Sequence, residues 1–238
     1  MGLEVLAVLE LDKVHAYYGN SHALQGVSMS VADGDFVSVL GRNGVGKTTL
    51  MRAIMGLMDR TSGSIILDGN EINNKKTHQR ALAGIGYVPQ GRGILPTFTV
   101  QENLKLGTFA NSENDASINE WVFELFPILK EFLKRQGGNL SGGQQQQLAI
   151  ARALLTKPKV ILLDEPTEGI QPNVVEQIEN VLIDLNQKHG MTVVLVEQNV
   201  QFARRASKHF VFMEKGMVTV NGAVAELTDS LVHKHMTV

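Results

Sequence analysis

Gly41-Arg42-Asn43-Gly44-Val45-Gly46-Lys47-Thr48 is a glycine-rich octapeptide that ends in a lysine and a threonine. Glycines permit tight turns that point several backbone N–H groups at one place, and such a cluster of amides binds phosphate oxygens. Lys47 would reach the outer phosphates of a nucleotide, and Thr48 would offer its hydroxyl to a magnesium ion. The octapeptide therefore predicts a phosphate-binding loop, and we count the following Thr49 among its nucleotide-binding residues.

The residues on either side of this loop have the pattern that it requires. Residues 36–40 form a short apolar run that predicts a buried strand, and Leu50, Ile54 and Leu57 follow Lys47 at helical spacing. A strand before the glycines and a helix after them is the setting in which such a loop binds phosphate. The alternative is a glycine-rich turn beside a solvated lysine, and the flanking pattern argues against it.

Apolar runs and helical periodicities also divide the rest of the chain. Short apolar runs predict strands at residues 7–11, 23–31, 64–67, 160–163 and 192–196. Helices are predicted within 100–134, interrupted by a polar loop at 111–117, and at 148–155 and 172–185. This alternation predicts an α/β fold with a mainly parallel sheet as its core, an N-terminal antiparallel β subdomain and an inserted helical subdomain. We assign one domain to residues 1–238, with its nucleotide-binding core and β subdomain at 1–92 and 156–238 and the helical subdomain at 93–155.

The composition excludes several classes of protein. Of the 238 residues 43% are hydrophobic, which is enough for a buried core, and the formal net charge of -2 gives no reason to expect nucleic acid as a partner. The chain has no cysteine, which rules out disulfides, thiolate metal sites and a thiol nucleophile. The apolar opening at residues 3–11 contains Glu4 and Glu10 and is too short to span a bilayer, so other chains would have to supply any membrane spans.

Two acids follow the strand predicted at 160–163. Asp164 and Glu165 stand at its carboxyl end, where parallel sheets collect their ligands. Asp164 suits magnesium, because hard cations prefer oxygen ligands. Glu165 suits the general base that polarises an attacking water in phosphoryl transfer. Without the phosphate loop, an acidic pair that merely solvates a strand end would be the better interpretation.

Leu140-Ser141-Gly142-Gly143-Gln144 lies between the phosphate loop and the acidic pair. A serine and two glycines at a helix start present a hydroxyl and backbone N–H groups to an anion. In isolation the alternative is an ordinary helix N-cap. In this order of motifs the pentapeptide resembles the signature of the ATP-binding-cassette (ABC) ATPases, and the resemblance covers nearly the whole chain.

That resemblance implies ATP and Mg²⁺ as cofactors and a head-to-tail pair of ATPase domains. The signature residues would serve the nucleotide of the partner domain, and the phosphate loop would serve this chain's own. Tyr18 matches the aromatic residue that stacks on adenine, although a tyrosine packed in a strand is the alternative. Gln90 matches the glutamine that reaches magnesium and water and relays the nucleotide state to a transmembrane partner.

Two positions depart from the commonest pattern of the family. Gln198 stands where many relatives have a switch histidine, and Gln171 stands where an aspartate is usual. A glutamine can donate to a phosphate or orient water, but it carries no imidazolium charge. With Glu165 present we still expect an active ATPase, in which Gln198 takes part in catalysis.

The departures also resemble one branch of the family. The sequences around Gln198 and residues 91–96 resemble importers of branched-chain amino acids and small amides, and residues 144–152 and 167–172 resemble the ATPase subunit of urea importers. We therefore expect a peripheral subunit on the cytoplasmic face of a bacterial inner membrane that drives uptake of urea or a short amide. Its partners would be a second, related ATPase, two permeases and, indirectly, a solute-binding protein.

Three alternatives remain open at this stage. The first is an ATPase subunit of a branched-chain amino acid importer. The second is a soluble cassette ATPase that acts on DNA or the ribosome, although such proteins usually carry a coiled-coil insertion, a zinc module or a second cassette. The third is a kinase or GTPase with a phosphate loop, in which the signature pentapeptide would have no role.

Overall fold

The computed structural model describes residues 7–110 and 117–236. The strands in these ranges are β1 (Ala7–Tyr18), β2 (Ser21–Ala32), β3 (Phe36–Leu40), β4 (Arg60–Leu67), β5 (Asn70–Glu71), β6 (Ile85–Val88), β7 (Val160–Asp164), β8 (Thr192–Glu197), β9 (His209–Glu214) and β10 (Met217–Ala223). The α-helices are α1 (Lys47–Ile54), α2 (Thr77–Leu82), α3 (Val100–Thr108), α4 (Trp121–Leu125), α5 (Pro127–Glu131), α6 (Gly142–Leu154), α7 (Pro172–His189), α8 (Val200–Ala206) and α9 (Asp229–Met236).

The N-terminal strands form an antiparallel sheet in the order β2-β1-β4-β5. The predicted strands at 7–11 and 23–31 are confirmed, but both are longer than expected. The ladder continues to the pair Tyr18 and Ser21, because Gly19 adopts a positive φ of 52° and closes a two-residue turn. Residues 17–22, which lie between the two predicted strands, are therefore the end of a hairpin.

The second sheet has the order β10-β9-β3-β8-β7-β6 and contains the predicted parallel core. Its neighbours are parallel from β9 to β6, and only β10 is antiparallel, as a hairpin with β9. The central strands β3, β7 and β8 are buried along their whole length, as expected for parallel strands covered on both faces. Their carboxyl ends therefore meet at one edge, where the phosphate loop follows β3 and the acidic pair follows β7.

The helices differ from the prediction mainly at their ends. Helix α1 ends at Ile54, so Leu57 lies outside it and is exposed instead of packing as a helical position. Helix α6 begins at Gly142 with Ser141 as its cap, as the Ser-Gly-Gly stretch indicates, and therefore extends the helix predicted at 148–155 toward its N-terminus. The predicted loop at 111–117 lies outside the described residues except for Ser117.

The described chain between β6 and β7 contains the helices α3 to α6, a short 3-10 helix at Gly137–Asn139 and one isolated β-bridge. Their apolar residues pack with the face of the parallel sheet that α7 also covers. The other face of that sheet packs with α1 and the antiparallel sheet. The division into a core and a helical subdomain at residue 93 stays a prediction.

Arg80 on α2 is buried to 2% exposure and holds α1 in place. Its guanidinium donates to the carbonyls of Ala53 and Ile54 at 2.9 and 2.7 Å, at the C-terminal end of α1, and to those of Lys75 and Asn73. A cation at a helix C-terminus is favourable, and it satisfies carbonyls that would otherwise be buried without a donor.

We expect Arg80→Met to lower the free energy of unfolding by about 3 kcal/mol, because several buried carbonyls lose their donor. Urea unfolding followed by circular dichroism measures the change. Arg135→Met is the control, since Arg135 is exposed and its loss should cost less than about 0.5 kcal/mol. Equal stability of the two variants would show that α1 is held by its apolar contacts alone.

Candidate active site

The phosphate loop joins β3 to α1 in a conformation that needs its glycines. Gly41, Gly44 and Gly46 have φ values of 149°, 78° and 111°, which are unfavourable for residues with a side chain. Gly46 is the N-cap of α1, so backbone N–H groups at the start of this helix point into the loop. At Gly41 a Cβ would also lie 2.6 Å from the carbonyl oxygen of Met213. The loop is therefore a preformed concave set of amides at a helix N-terminus, the geometry that binds phosphate.

Lys47 is the first residue of α1, and its side chain is only 4% exposed. Its ammonium group donates to the carbonyl oxygens of Gly41 and Arg42 at 2.8 and 3.0 Å, and it lies 3.5 Å from a carboxylate oxygen of Glu165. Burial lowers the pKa of Lys47, and the charge of Glu165 opposes that shift. The loop thus fixes a positive charge beside its own amides.

Asp164 ends β7 and faces Thr48 across the site. Its Oδ1 accepts a hydrogen bond from the Thr48 hydroxyl at 3.1 Å, while its Oδ2 is buried and has no hydrogen-bond partner in the part of the chain that the structure describes. Burial raises the pKa of Asp164 to about 6. A buried carboxylate oxygen without a donor, beside a hydroxyl, fits a hard divalent cation such as Mg²⁺. The described residues contain no group of three or more His, Cys, Asp or Glu side chains that could hold a metal ion, so a cation here would need water and phosphate ligands as well.

Glu165 is held by the side chains of two glutamines. Gln198 donates through its Nε2 to Oε1 of Glu165 at 3.0 Å, and Gln90 donates to Oε2 at 3.4 Å. Glu165 itself has a φ of 48°, a strained value for a non-glycine residue that is commonest at functional sites. Two neutral donors thus orient the carboxylate, and the ammonium group of Lys47 lies 3.5 Å from its Oε1.

Glu168 and Glu197 also belong to this network, and neither was predicted from the sequence as a site residue. Gln90 donates to Glu168 at 2.9 Å, a shorter contact than the one with Glu165. Glu197 is buried at the end of β8, where it accepts from the hydroxyl of Thr167 at 2.6 Å and from the backbone N–H of Gln198 at 3.0 Å. Glu197 follows an apolar run, as Asp164 does, and this position at a strand end is the sequence signal that could have identified it as a site residue.

An open cleft of about 620 Å³ lies in front of the phosphate loop. Tyr18 stands at its rim with 40% of its surface exposed, and the guanidinium of Arg52 lies 5.6 Å from the centre of its ring. The cleft is lined by Tyr18, Ser21, His22, Ala23, Gln25, Asn43, Gly44, Val45, Gly46, Lys47, Thr48, Thr49, Gln90, Glu165, Lys215 and Gly216. The structure therefore brings together the aromatic ring, the loop, the lysine and the candidate base predicted from the sequence.

The signature residues Ser141 to Gln144 are not among those that line this cleft. Ser141 caps α6: its Oγ accepts from the N–H of Gln144 at 3.3 Å, and Oε1 of Gln144 accepts from the N–H of Ser141 at 3.0 Å. Gly143 packs so closely on α7 that a Cβ would lie 2.5 Å from Cγ1 of Val174. Ser141 is thus a true N-cap, and the pentapeptide does not line the cleft in front of the chain's own phosphate loop.

A glycine-rich loop between a parallel strand and a helix, an acidic strand end and a separate capped Ser-Gly-Gly helix together define an ABC ATPase. Residues 24–168 match the ABC transporter family. The chain therefore belongs to the ABC transporter family, as a subunit that binds and hydrolyses ATP.

Curated relatives match the chain over most of its length. It is 39% identical to the high-affinity branched-chain amino acid transport ATP-binding protein BraG of Pseudomonas aeruginosa, over 92% of this chain and 94% of that protein. It is 36% identical to the probable branched-chain amino acid transport ATP-binding protein LivF of Archaeoglobus fulgidus, over 93% and 94%. The glutamine transport ATP-binding protein GlnQ of Escherichia coli is 34% identical over 90% and 91%.

Solved cassettes share the fold. The dimeric, post-hydrolysis state of an ATP-binding cassette bound to ADP and phosphate has a TM-score of 0.80 and 29% identity, covering 91% of this chain and 98% of that one. The ADP conformation of a cassette from an ABC transporter has a TM-score of 0.78 and 29% identity, covering 96% of this chain and 98% of that one.

In the residues that the structure describes, no helix combines the length and the apolar character needed to cross a membrane.

Proposed function

We propose that this chain is the ATPase subunit of an importer of branched-chain amino acids. The observation that supports this most strongly is that the chain is similar, over nearly its full length, to two proteins named as branched-chain amino acid transport ATP-binding proteins. This supports the alternative from the sequence over the narrower expectation of urea or amide uptake. The chain would act at the cytoplasmic face of the membrane beside a second, related ATPase and two permeases, and a solute-binding protein would deliver the substrate to the permeases.

The cleft supports a specific division of work in binding ATP. Tyr18 is exposed at the rim and offers a ring face on which adenine stacks. The amides of the phosphate loop and the fixed charge of Lys47 would bind the phosphates, as the loop geometry allows. Thr48, Asp164 and Gln90 would hold Mg²⁺, which neutralises phosphate charge when bound.

Glu165 is the candidate general base for hydrolysis. It would take a proton from the attacking water while the water oxygen bonds to the γ-phosphorus and the bond to the β–γ bridging oxygen breaks, which releases ADP and phosphate. Gln198 and Gln90 would keep the carboxylate and the water in line, because both already donate to Glu165. Gln198 would thus supply through its side-chain amide the hydrogen bond that a histidine at this position would supply through a ring nitrogen.

The signature residues would complete the site of a partner domain. Ser141 is exposed at the start of α6, and its helix N-terminus attracts an anion, yet the chain's own cleft is elsewhere. Gly142, Gly143 and Gln144 would contribute backbone and side-chain donors next to it. ATP binding would therefore close two domains head to tail, and the closure would move the permeases.

Transport by the assembled complex tests the proposed substrate. The chain would be purified together with its permeases and partner ATPase, reconstituted in vesicles and given radiolabelled leucine or urea with the solute-binding protein present. ATP-dependent leucine accumulation, absent when the nonhydrolysable analogue AMP-PNP replaces ATP, would support the proposal. Accumulation of urea but not of leucine would contradict the proposal and support uptake of urea or a short amide, as expected from the sequence.

A further inference from the structure

His235 on the C-terminal helix α9 is a buried histidine that the proposed ATPase chemistry does not use. It is 6% exposed, and its ring stacks on Phe212 of β9 with the centroids 5.0 Å apart. Its Nδ1 lies 2.5 Å from Oε1 of Glu214, while its Nε2 is buried without a hydrogen-bond partner within 7–110 and 117–236. A buried polar ring is costly unless it is hydrogen-bonded, so the contact with Glu214 is what offsets its burial.

Helix α9 is fixed to the body of the protein at its other end as well. The guanidinium of Arg204 on α8 donates to the carboxylate of Asp229 at 2.6 Å and to the carbonyl of Leu227 at 2.9 Å. Along the helix, partly buried apolar side chains pack on the small cluster that contains Phe212: Leu231, Val232 and Met236. Helix α9 is therefore packed on the body of the protein at both ends. His235, near its C-terminal end, lines the same depression as residues 42–45 of the phosphate loop.

Glu214 connects this helix to the phosphate loop through a tight turn. It is the last residue of β9, and Lys215 and Gly216 form the turn to β10 with φ values of 46° and 78°. The N–H of Gly216 donates to the carbonyl of Val45 in the phosphate loop at 2.8 Å. The carbonyl of Gly216 accepts from the N–H of Gln25 at 2.8 Å, so the turn is held from both sides.

The turn and the loop also meet through bare backbone. A Cβ on Gly46 of the loop would lie 3.4 Å from Cα of Gly216, and a Cβ on Gly41 of the loop would lie 2.6 Å from the carbonyl oxygen of Met213, the residue before Glu214. Backbone atoms packed this closely have no flexible side chain between them to absorb a displacement. A shift of Glu214 would therefore reach the phosphate loop.

The contact between His235 and Glu214 also fixes a negative charge among several positive ones. A depression of about 330 Å³ separates α9 from the outer side of the phosphate loop, and Arg42, Lys215 and Lys234 line it. Glu214 is the only carboxylate among the described residues that line it. The bond from His235 keeps this negative charge at a fixed place, whereas a released carboxylate would be free to approach the loop's amides and cations.

We infer that His235 is a positioning residue for nucleotide binding: through Glu214 and the Lys215–Gly216 turn, helix α9 braces the phosphate loop and sets its affinity for nucleotide. The inference rests on the proposed role of the loop in binding ATP. Helix α9 would then affect nucleotide affinity in addition to stabilising the fold.

Equilibrium binding of the fluorescent nucleotide mant-ADP to the purified full chain tests this inference without depending on hydrolysis. His235→Ala is expected to raise the dissociation constant about fivefold, in the range of coupling between contacting residues. His235→Asn places an amide nitrogen near the position of Nδ1, so it can still donate to Glu214, and it should restore affinity to within about twofold of the wild type. In a Glu214→Ala background, His235→Ala should have no further effect.

Leu231→Ala is the matched control, because it loosens the packing of the same helix and leaves both His235 and Glu214 in the chain. Both alanine variants are expected to lower the melting temperature, but only His235→Ala should change the affinity for mant-ADP. Unchanged affinity in His235→Ala, or an equal loss in Leu231→Ala, would overturn the inference. Failure of the wild type itself to bind mant-ADP would instead count against the proposed nucleotide site.

Discussion

Lys47→Ala is expected to weaken ATP binding by about 100-fold, because the loss of a desolvated charged hydrogen bond costs about 3 kcal/mol and each 1.4 kcal/mol is a factor of ten. The side chain is nearly completely buried, and the carbonyls of Gly41 and Arg42 fix its ammonium group. Little conformational entropy is therefore lost when a phosphate arrives. The neighbouring Glu165 helps to keep the lysine charged against the effect of burial on its pKa.

Fluorescence anisotropy of labelled ATP measures this affinity. Lys130→Ala is the control, since Lys130 is an exposed lysine paired with Glu120 and should leave the affinity unchanged. Lys47→Arg retains the charge but replaces a compact ammonium by a planar fork, and we expect it to restore only part of the binding. If Lys47→Ala bound ATP within about threefold of the wild type, the amides alone would carry the affinity and the assigned role of Lys47 would be wrong.

The sequence predicted the parts of this site that depend on local pattern. The phosphate loop, the strand before it and Glu165 at the end of β7 could be placed because glycine spacing and buried apolar runs act over a few residues. The structure then placed Gln90 and Gln198 on the same carboxylate, 75 and 33 residues away from it along the chain. The resemblance to a family had suggested those two glutamines, whereas spacing alone would not have linked them.

Other parts of the site were not predictable from local pattern. Glu168 competes with Glu165 for the amide of Gln90, which depends on how two loops meet in space. The contact between His235 and Glu214 joins a strand end to a helix 21 residues later, and nothing in the spacing of the two residues indicates it. Leu57 had a helical spacing, yet α1 ends before it with Met55 as its cap. Tertiary contacts decided the first two cases, whereas α1 ends before Leu57 because Gly56 has a φ of 69° and terminates the helix.

Glu165→Gln is expected to lower the turnover number for ATP by about 1000-fold, the range in which a positioned general base contributes. The substitution keeps the size of the side chain and its contact distance to Gln198, but the amide cannot accept the proton from water. Affinity for ATP should be equal or higher, because a negative charge 3.5 Å from Lys47 is removed from the neighbourhood of the phosphates. Release of inorganic phosphate with Mg²⁺ and with EDTA measures the turnover.

The same variant should accumulate the closed pair of domains. When hydrolysis is blocked, ATP remains in the cleft and holds the two domains together, so size-exclusion chromatography with light scattering should show a dimer in ATP and a monomer in ADP. Turnover equal to that of the wild type would remove Glu165 from the base role. Binding of ATP without a dimer would indicate that closure needs the different partner ATPase, and the measurement would then be made on the co-purified pair.

Substitutions at Ser141 in the Glu165→Gln background separate a role at the partner's nucleotide from the role in capping α6. Asp and Asn both serve well as N-caps, so Ser141→Asp and Ser141→Asn should both keep the helix start that Ser141 now forms with Gln144. Only the aspartate brings a negative charge toward the phosphates of the facing domain. We therefore expect the ATP-dependent dimer to be lost in Ser141→Asp and kept in Ser141→Asn, whereas a dimer that both variants retain would mean that Ser141 does nothing beyond capping its helix.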